Sequence, residues 1–141
     1  MKKMLTIIII PIALTAQTDV IKTLNAPYGL IQNNKITTIA TDSLGLNWIG
    51  TLDGLVCYNG DRWHKITTEN STIPSNKILA IAINKNTKYI GTAEGLLVIE
   101  NNKWTVFNTN NSSLPTNRIR KIKTHKDTVW IATSSGLVKY K

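Results

Sequence analysis

The chain has little of what catalysis or cross-linking requires. Its 141 residues include one cysteine, two histidines and eight acids. A lone cysteine, Cys57, cannot close an intramolecular disulfide, and on a short apolar segment it reads as a small packing residue. The acids form no pair and no metal-ligand spacing, and neither His64 nor His125 has a counterpart in the other repeat units. Neither a Gly-rich phosphate loop nor a Gly-x-Ser-x-Gly elbow is present. These absences argue against an enzyme, a metal site and a bound cofactor. Helical periodicity is also missing: beyond the amino-terminal apolar run, no window spaces its apolar residues by three and four. Acidic charge is scarce against 17 Lys and Arg, which leaves a formal charge of +9.

What the chain does have is a repeat. Trp48-Ile49-Gly50-Thr51, Tyr89-Ile90-Gly91-Thr92 and Trp130-Ile131-Ala132-Thr133 stand 41 residues apart, each followed by Gly-Leu at Gly54, Gly95 and Gly136. Trp63 and Trp104, Pro74 and Pro115, and Asn76 and Asn117 keep the same spacing. Asn34, Ile36 and Ile39 precede their copies by 42, and the extra residue falls in the polar loop Asp42–Asn47. Repeats near this length mark propellers and solenoids.

Each unit accommodates four short strands rich in β-branched and aromatic residues. The first spans Ile36–Thr41, Ile78–Ile83 and Ile119–Lys123, and the second Asn47–Thr51 and its copies. The third spans Leu55–Tyr58, Leu96–Ile99 and Leu137–Tyr140, and the fourth Arg62–Thr67 and Lys103–Asn108. Glycine after Asp53, Glu94 or Ser135 suits a tight hairpin turn. The fold expected is all-β: about three four-stranded propeller blades, at 34–75, 76–116 and 117–141. Such blades bury their faces only by stacking on one another.

The amino terminus reads differently. Met1-Lys2-Lys3, an apolar run from Met4 to Ala13, and Leu14-Thr15-Ala16-Gln17 have the layout of a secretory signal peptide over residues 1–16. Pro11 and the shortness of the run oppose a permanent span, so membrane attachment is expected only through an uncleaved signal segment. No cysteine follows the run, which disfavours a lipid anchor. Cleavage would lower the formal charge by two. The expected location is periplasmic or secreted. The basic stretch Arg118–Lys126 then reads as a solvated face, or one facing anionic glycans or envelope components, not nucleic acid.

The unit Asn-x-Ile-x-x-Ile, a loop, Trp-Ile-Gly-Thr-x-x-Gly-Leu, a strand, Trp, and a polar loop ending in Pro-x-Asn resembles the two-component regulator propeller repeat. The resemblance covers residues 34 to 141, with Tyr89 in place of tryptophan and Ala132 in place of glycine. It implies a propeller of the kind found in periplasmic sensor regions of Bacteroidetes-type hybrid two-component systems, and a role in environmental sensing, oligosaccharides included. Kinase and DNA-binding motifs do not occur in this sequence, so signal output by this chain alone is not expected. Other readings are a stand-alone relative, a subunit, or a truncated fragment of a larger sensor kinase.

The third unit lacks its fourth strand, and Val20–Leu24, within the segment 17–33, aligns with Arg62–Ile66. The amino-terminal strand is thus expected to complete a last blade, as ring-latching strands do. Three blades make an open arc, whereas propellers close with about four to eight. A head-to-tail homodimer would close a six-bladed ring in which each latch strand completes the partner's blade.

The recurring Trp48, Tyr89 and Trp130, together with Trp63, Trp104, Gly50, Gly54, Gly91, Gly95 and Gly136, read as structural positions. Ligand-binding candidates are loop residues that vary between units on the face shared by the second hairpin and the blade-joining loops: Asp53, Glu94, Ser134, Asn70, Asn110 and Arg118. A polar mouth of this kind suits hydroxyl-rich or peptide ligands. The sequence therefore predicts a non-enzymatic ligand- or protein-binding module. An envelope assembly component and a lectin-like oligomer with one weak sugar site per blade are the alternatives.

Overall fold

The computed structural model describes residues 35–140 together with residues 24, 26, 27 and 29–31. The signal segment 1–16, Asn34 and all of Val20–Leu24 except Leu24 lie outside the described residues.

Eleven strands and no helix make up the described chain, arranged as three antiparallel sheets. Blade 1 holds β1 (Ile36–Thr41), β2 (Asn47–Thr51), β3 (Gly54–Tyr58) and β4 (Trp63–Ile66). Blade 2 holds β5 (Ile78–Asn84), β6 (Thr87–Thr92), β7 (Leu96–Glu100) and β8 (Lys103–Phe107). Blade 3 holds β9 (Ile119–His125), β10 (Thr128–Thr133) and β11 (Gly136–Tyr140). Each sheet runs in strand order, as a meander. The described residues are all-β, a partial propeller.

The turn after the second strand is specified twice. Gly54, Gly95 and Gly136 adopt φ of 129°, 143° and 141°, a region closed to residues with a Cβ. Thr51, Thr92 and Thr133 close the same turn with their side chains. Each Oγ1 donates to the glycine carbonyl at 2.8 Å and accepts the N–H of Asp53, Glu94 or Ser135 at 3.0 to 3.1 Å. At the opposite rim, Lys85 and Lys126 take positive φ at the head of two-residue turns, and Asn101-Asn102 does so between β7 and β8.

Stacking supplies two apolar cores. Trp48, Leu55, Cys57 and Ile66 of blade 1 pack against Ile78, Ile81, Ile90, Leu97 and Ile99 of blade 2. Tyr89, Leu96 and Val98 pack in turn on Ile119, Ile122, Val129 and Ile131 of blade 3. The blades approach closely because of two glycines. A Cβ on Gly50 would lie 2.8 Å from Ile78 Cγ2, and one on Gly91 2.5 Å from Ile119 Cγ2. Of the outer-strand tryptophans, Trp63 stacks on Tyr58 with ring centres 4.1 Å apart, and Trp104 packs against the first core.

One charged cluster joins blades 1 and 2. The Asp42 side chain is 3% exposed. Its Oδ1 accepts the N–H groups of Leu44 and Leu46 at 3.0 Å, and its Oδ2 accepts Trp48 Nε1 at 3.1 Å. Lys88 Nζ lies 3.6 Å from the same oxygen and 5.7 Å from the centre of the Trp48 ring.

Candidate functional site

The loop face is built on a frame that repeats in every blade. Leu52, Ala93 and Ser134 each donate a backbone N–H to the carbonyl of Lys35, Lys77 or Arg118, at 3.3, 3.1 and 3.2 Å. This bond ties the second hairpin to the start of the innermost strand. Gly54 N–H also reaches Asn76 O at 2.7 Å, joining blade 1 to the loop that leads into blade 2.

That loop is held by its own side chains. Asn76 and Asn117 accept the N–H of Thr68 and Thr109 at 2.8 Å. Asn70 Oδ1 accepts Thr67 N–H at 2.8 Å and its Nδ2 donates to Lys65 O at 2.9 Å; Asn111 repeats both bonds at Asn108 and Val106. Ser71 and Ser112 donate to Thr67 O and Asn108 O. Polar composition in these loops therefore serves the backbone first.

The six loop candidates divide accordingly. Ser134 and Arg118 meet through their backbones, and Ser134 Oγ stands 3.5 Å from Thr116 Oγ1. Asp53 pairs with Lys65 at 2.6 Å, and Lys65 also donates to Gly29 O at 3.2 Å. Glu94 is exposed, and its hairpin lies against Pro74 and the Phe107 carbonyl. Asn70 is exposed, with its amide oxygen and nitrogen each holding one backbone group. Asn110 is exposed, its backbone N–H held by Asn108 Oδ1 at 2.9 Å. Ser135, not Ser134, shares the register of Asp53 and Glu94.

Sequence reasoning missed a regular feature of this rim. Arg118 is one of three equivalent cations, with Lys35 and Lys77, each exposed and each fixed by the hairpin-to-strand bond. The signal was present as a basic residue just ahead of each Ile36-type position. Behind the rim, a polar cleft of about 300 Å³ follows the inner strands, lined by Thr37, Thr38, Leu79, Ala80, Arg120 and Lys121 among others. Thr37 Oγ1 spans the blades here, donating to Ile78 O at 2.7 Å. Among the described residues no group of three or more His, Cys, Asp or Glu is placed to hold a metal ion.

Burial decides the state of the remaining reactive groups. The Cys57 thiol, 7% exposed in the first core, is pushed up to about 12 by burial, with the Asp42 charge adding to the rise. Burial alone would raise the Asp42 carboxyl as well. The bonds from Trp48, Leu46 and Leu44 and the charge of Lys88 outweigh it and hold that carboxyl below its ordinary value.

Stacked antiparallel meanders with a polar loop rim at one end define an open arc of a β-propeller. No protein-family model matches the chain, and no curated protein does. Among solved structures, it is similar to an extracellular domain assigned to the hybrid two component system BT3049 of B. thetaiotaomicron. The two are 26% identical over 74% of this chain, with a TM-score of 0.66. The propeller-repeat resemblance carried by Trp48–Thr51 and its copies is thus met by a domain of the same class. PorZ, a surface component of the type-IX secretion system of Porphyromonas gingivalis, shares the fold at 21% identity, 74% coverage and a TM-score of 0.60. So does the computationally designed protein Ika4, at 14% identity and a TM-score of 0.54. The chain spans 15% of the length of the first of these structures, 17% of the second and 64% of the third.

Proposed function

We propose that the chain is a non-enzymatic propeller module, periplasmic or secreted, which binds a hydroxyl-rich or peptide ligand through its loop face. The observation that carries this reading is the contrast at the rim. The backbone frame is the same in each blade, while the side chains it presents change from Asp53 to Glu94 to Ser135 beside a constant cation. A fixed scaffold with variable loop residues is how binding surfaces are usually built. Similarity to the extracellular BT3049 domain supports an extracytoplasmic place and a sensor-like role, in which these blades supply part of a larger recognition surface.

The test is a glycan and peptide array probed with the purified protein, followed by titration of the hits. Lys77→Ala and Arg118→Ala are expected to weaken binding of a true rim ligand by about tenfold or more each, corresponding to loss of one charge-assisted hydrogen bond. Hits indifferent to both substitutions, or no hit at all, would count against the loop face.

A further inference from the structure

The three blades differ on the face that each turns away from the blade before it. The outward face of blade 1 carries Thr38, Ala40, Trp48, Gly50, Leu55 and Cys57. That of blade 2 carries Ala80, Ala82, Tyr89, Gly91, Leu96 and Val98. In blade 3 the same register holds Lys121, Lys123, Trp130, Ala132, Leu137 and Lys139. Three lysines replace small or apolar residues, and alanine replaces glycine. Trp130 is 38% exposed, against 7% for Trp48 and 8% for Tyr89.

These changes obstruct the contact by which the other blades stack. Ala132 bears the Cβ that Gly50 and Gly91 lack. A further blade docked at the same step would press its first isoleucine into that atom, as Ile78 and Ile119 would press on any Cβ at the two glycines. It would also enclose three ammonium groups without partners. A ring-closing homodimer places blade 1 of a second copy on this face and meets both obstacles. Inward-facing lysines and polar outer faces are how sheet and repeat proteins terminate association.

The face nonetheless has a defined chemistry. Lys123 and Lys139 flank Trp130 on the neighbouring strands, about 5 Å to either side. Lys139 Nζ lies 5.9 Å from the centre of the indole. No acid occupies this register in β9, β10 or β11. Asp127, at the adjoining turn, is paired with Lys85 of blade 2 at 2.9 Å. The result is a cationic surface with a partly exposed aromatic ring at its middle, over which the Lys139 side chain lies and which that flexible chain can uncover. An indole face carries negative charge density and attracts the C–H groups of a sugar ring, while ammonium groups attract its acidic substituents.

We propose that the outer face of blade 3 is an end cap that binds an acidic polysaccharide, with a sugar ring on Trp130 and uronate, sulfate or phosphate groups on Lys121, Lys123 and Lys139. This surface is separate from the loop face, and only the choice of glycan over nucleic acid rests on the extracytoplasmic reading.

Purified protein is titrated with polygalacturonate and dextran sulfate at two salt concentrations, with neutral dextran as reference. Binding to the two polyanions and not to dextran is expected. Trp130→Ala, and separately the triple variant K121E/K123E/K139E, weaken it at least tenfold. The triple R62E/K85E/K103E, with the same change in charge outside both this surface and the loop face, leaves it within twofold. Loss by both triples to the same degree means attraction by net charge and overturns the proposal. So does failure to bind either polyanion, or tighter binding of polyglutamate or a single-stranded oligonucleotide. Light scattering tests the cap: a monomer is expected, and K121A/K123A/A132G/K139V, which copies blade 2, is expected to self-associate. A native dimer that Trp130→Ala disperses would show instead that this face is a copy-to-copy interface. Lys77→Ala and Arg118→Ala leave polyanion binding intact, so the two sites fail or stand separately.

Discussion

Asp42 shows how much one side chain can organise. It satisfies two loop N–H groups and the indole N–H of Trp48, and it neutralises Lys88 from the next blade. Removing it strands four donors in a site with little access to water, the costly direction of a broken hydrogen-bond cluster. Asp42→Ala is expected to destabilise the protein by about 2 to 3 kcal/mol in urea titration, and Asp42→Asn by less. The folded carboxyl sits below its ordinary 3.8, so its contribution is whole above that value and fades as pH falls through the lower folded value. Urea midpoints of the native protein should therefore fall as pH drops below about 4, and Asp42→Asn should lessen that fall. The bonds to Leu44, Leu46 and Trp48 are local to this hairpin, but the string Asp42-Ser43-Leu44-Gly45-Leu46-Asn47 does not reveal the charge partner, because Lys88 reaches Asp42 only when two blades stack. The role of Cys57, by contrast, was legible from its strand. With its thiol pushed up to about 12, it should resist alkylation at pH 8 in the folded protein and react within minutes once urea unfolds it.

At the scale of strands and turns, most of the architecture could be read in advance, and for a physical reason. Hairpin turns need particular backbone angles, and glycine at Gly54, Gly95 and Gly136 advertises them. The strands were expected within one or two residues of where they lie; the inner ones run on to Asn84 and His125, since Lys85 and Lys126 accept the left-handed turn at their ends. The threonine of each Trp-Ile-Gly-Thr unit was visible as a recurrence but not as a brace. Thr92→Val keeps the shape and deletes both turn bonds, so a loss of about 1.5 kcal/mol is expected. Gly91→Ala tests the blade contact instead. Its new methyl meets Ile119, and a loss of about 1 to 3 kcal/mol is expected by thermal or urea unfolding. The loop candidates were harder to read. Asn70 and Asn110 have the same letter and neighbouring registers, yet one amide is bound to backbone and the other is open.

At the scale of the molecule, the arc is unevenly supported. Blade 2 has a neighbour on both faces, and the residues Ile90 and Leu97 at its centre are fully buried. Among the described residues, blade 3 is covered on one face only and β11 pairs on one side alone. Stability in stacked repeats is set by such nearest-neighbour contacts. Native-state hydrogen exchange is expected to be slowest in β6 and β7 and fastest in β11, with a spread of at least a hundredfold in protection. Uniform protection across the three blades would mean that the arc opens as one unit.

The glycines at the blade contacts also bear on ancestry. Gly50 and Gly91 hold the spacing of the stack by the absence of a single methyl group, and the third unit carries that methyl at Ala132. Any glycine codon becomes an alanine codon by one base change. A lineage of such repeats can therefore begin to close off an interior blade in a single mutational step, before any of its loops has altered.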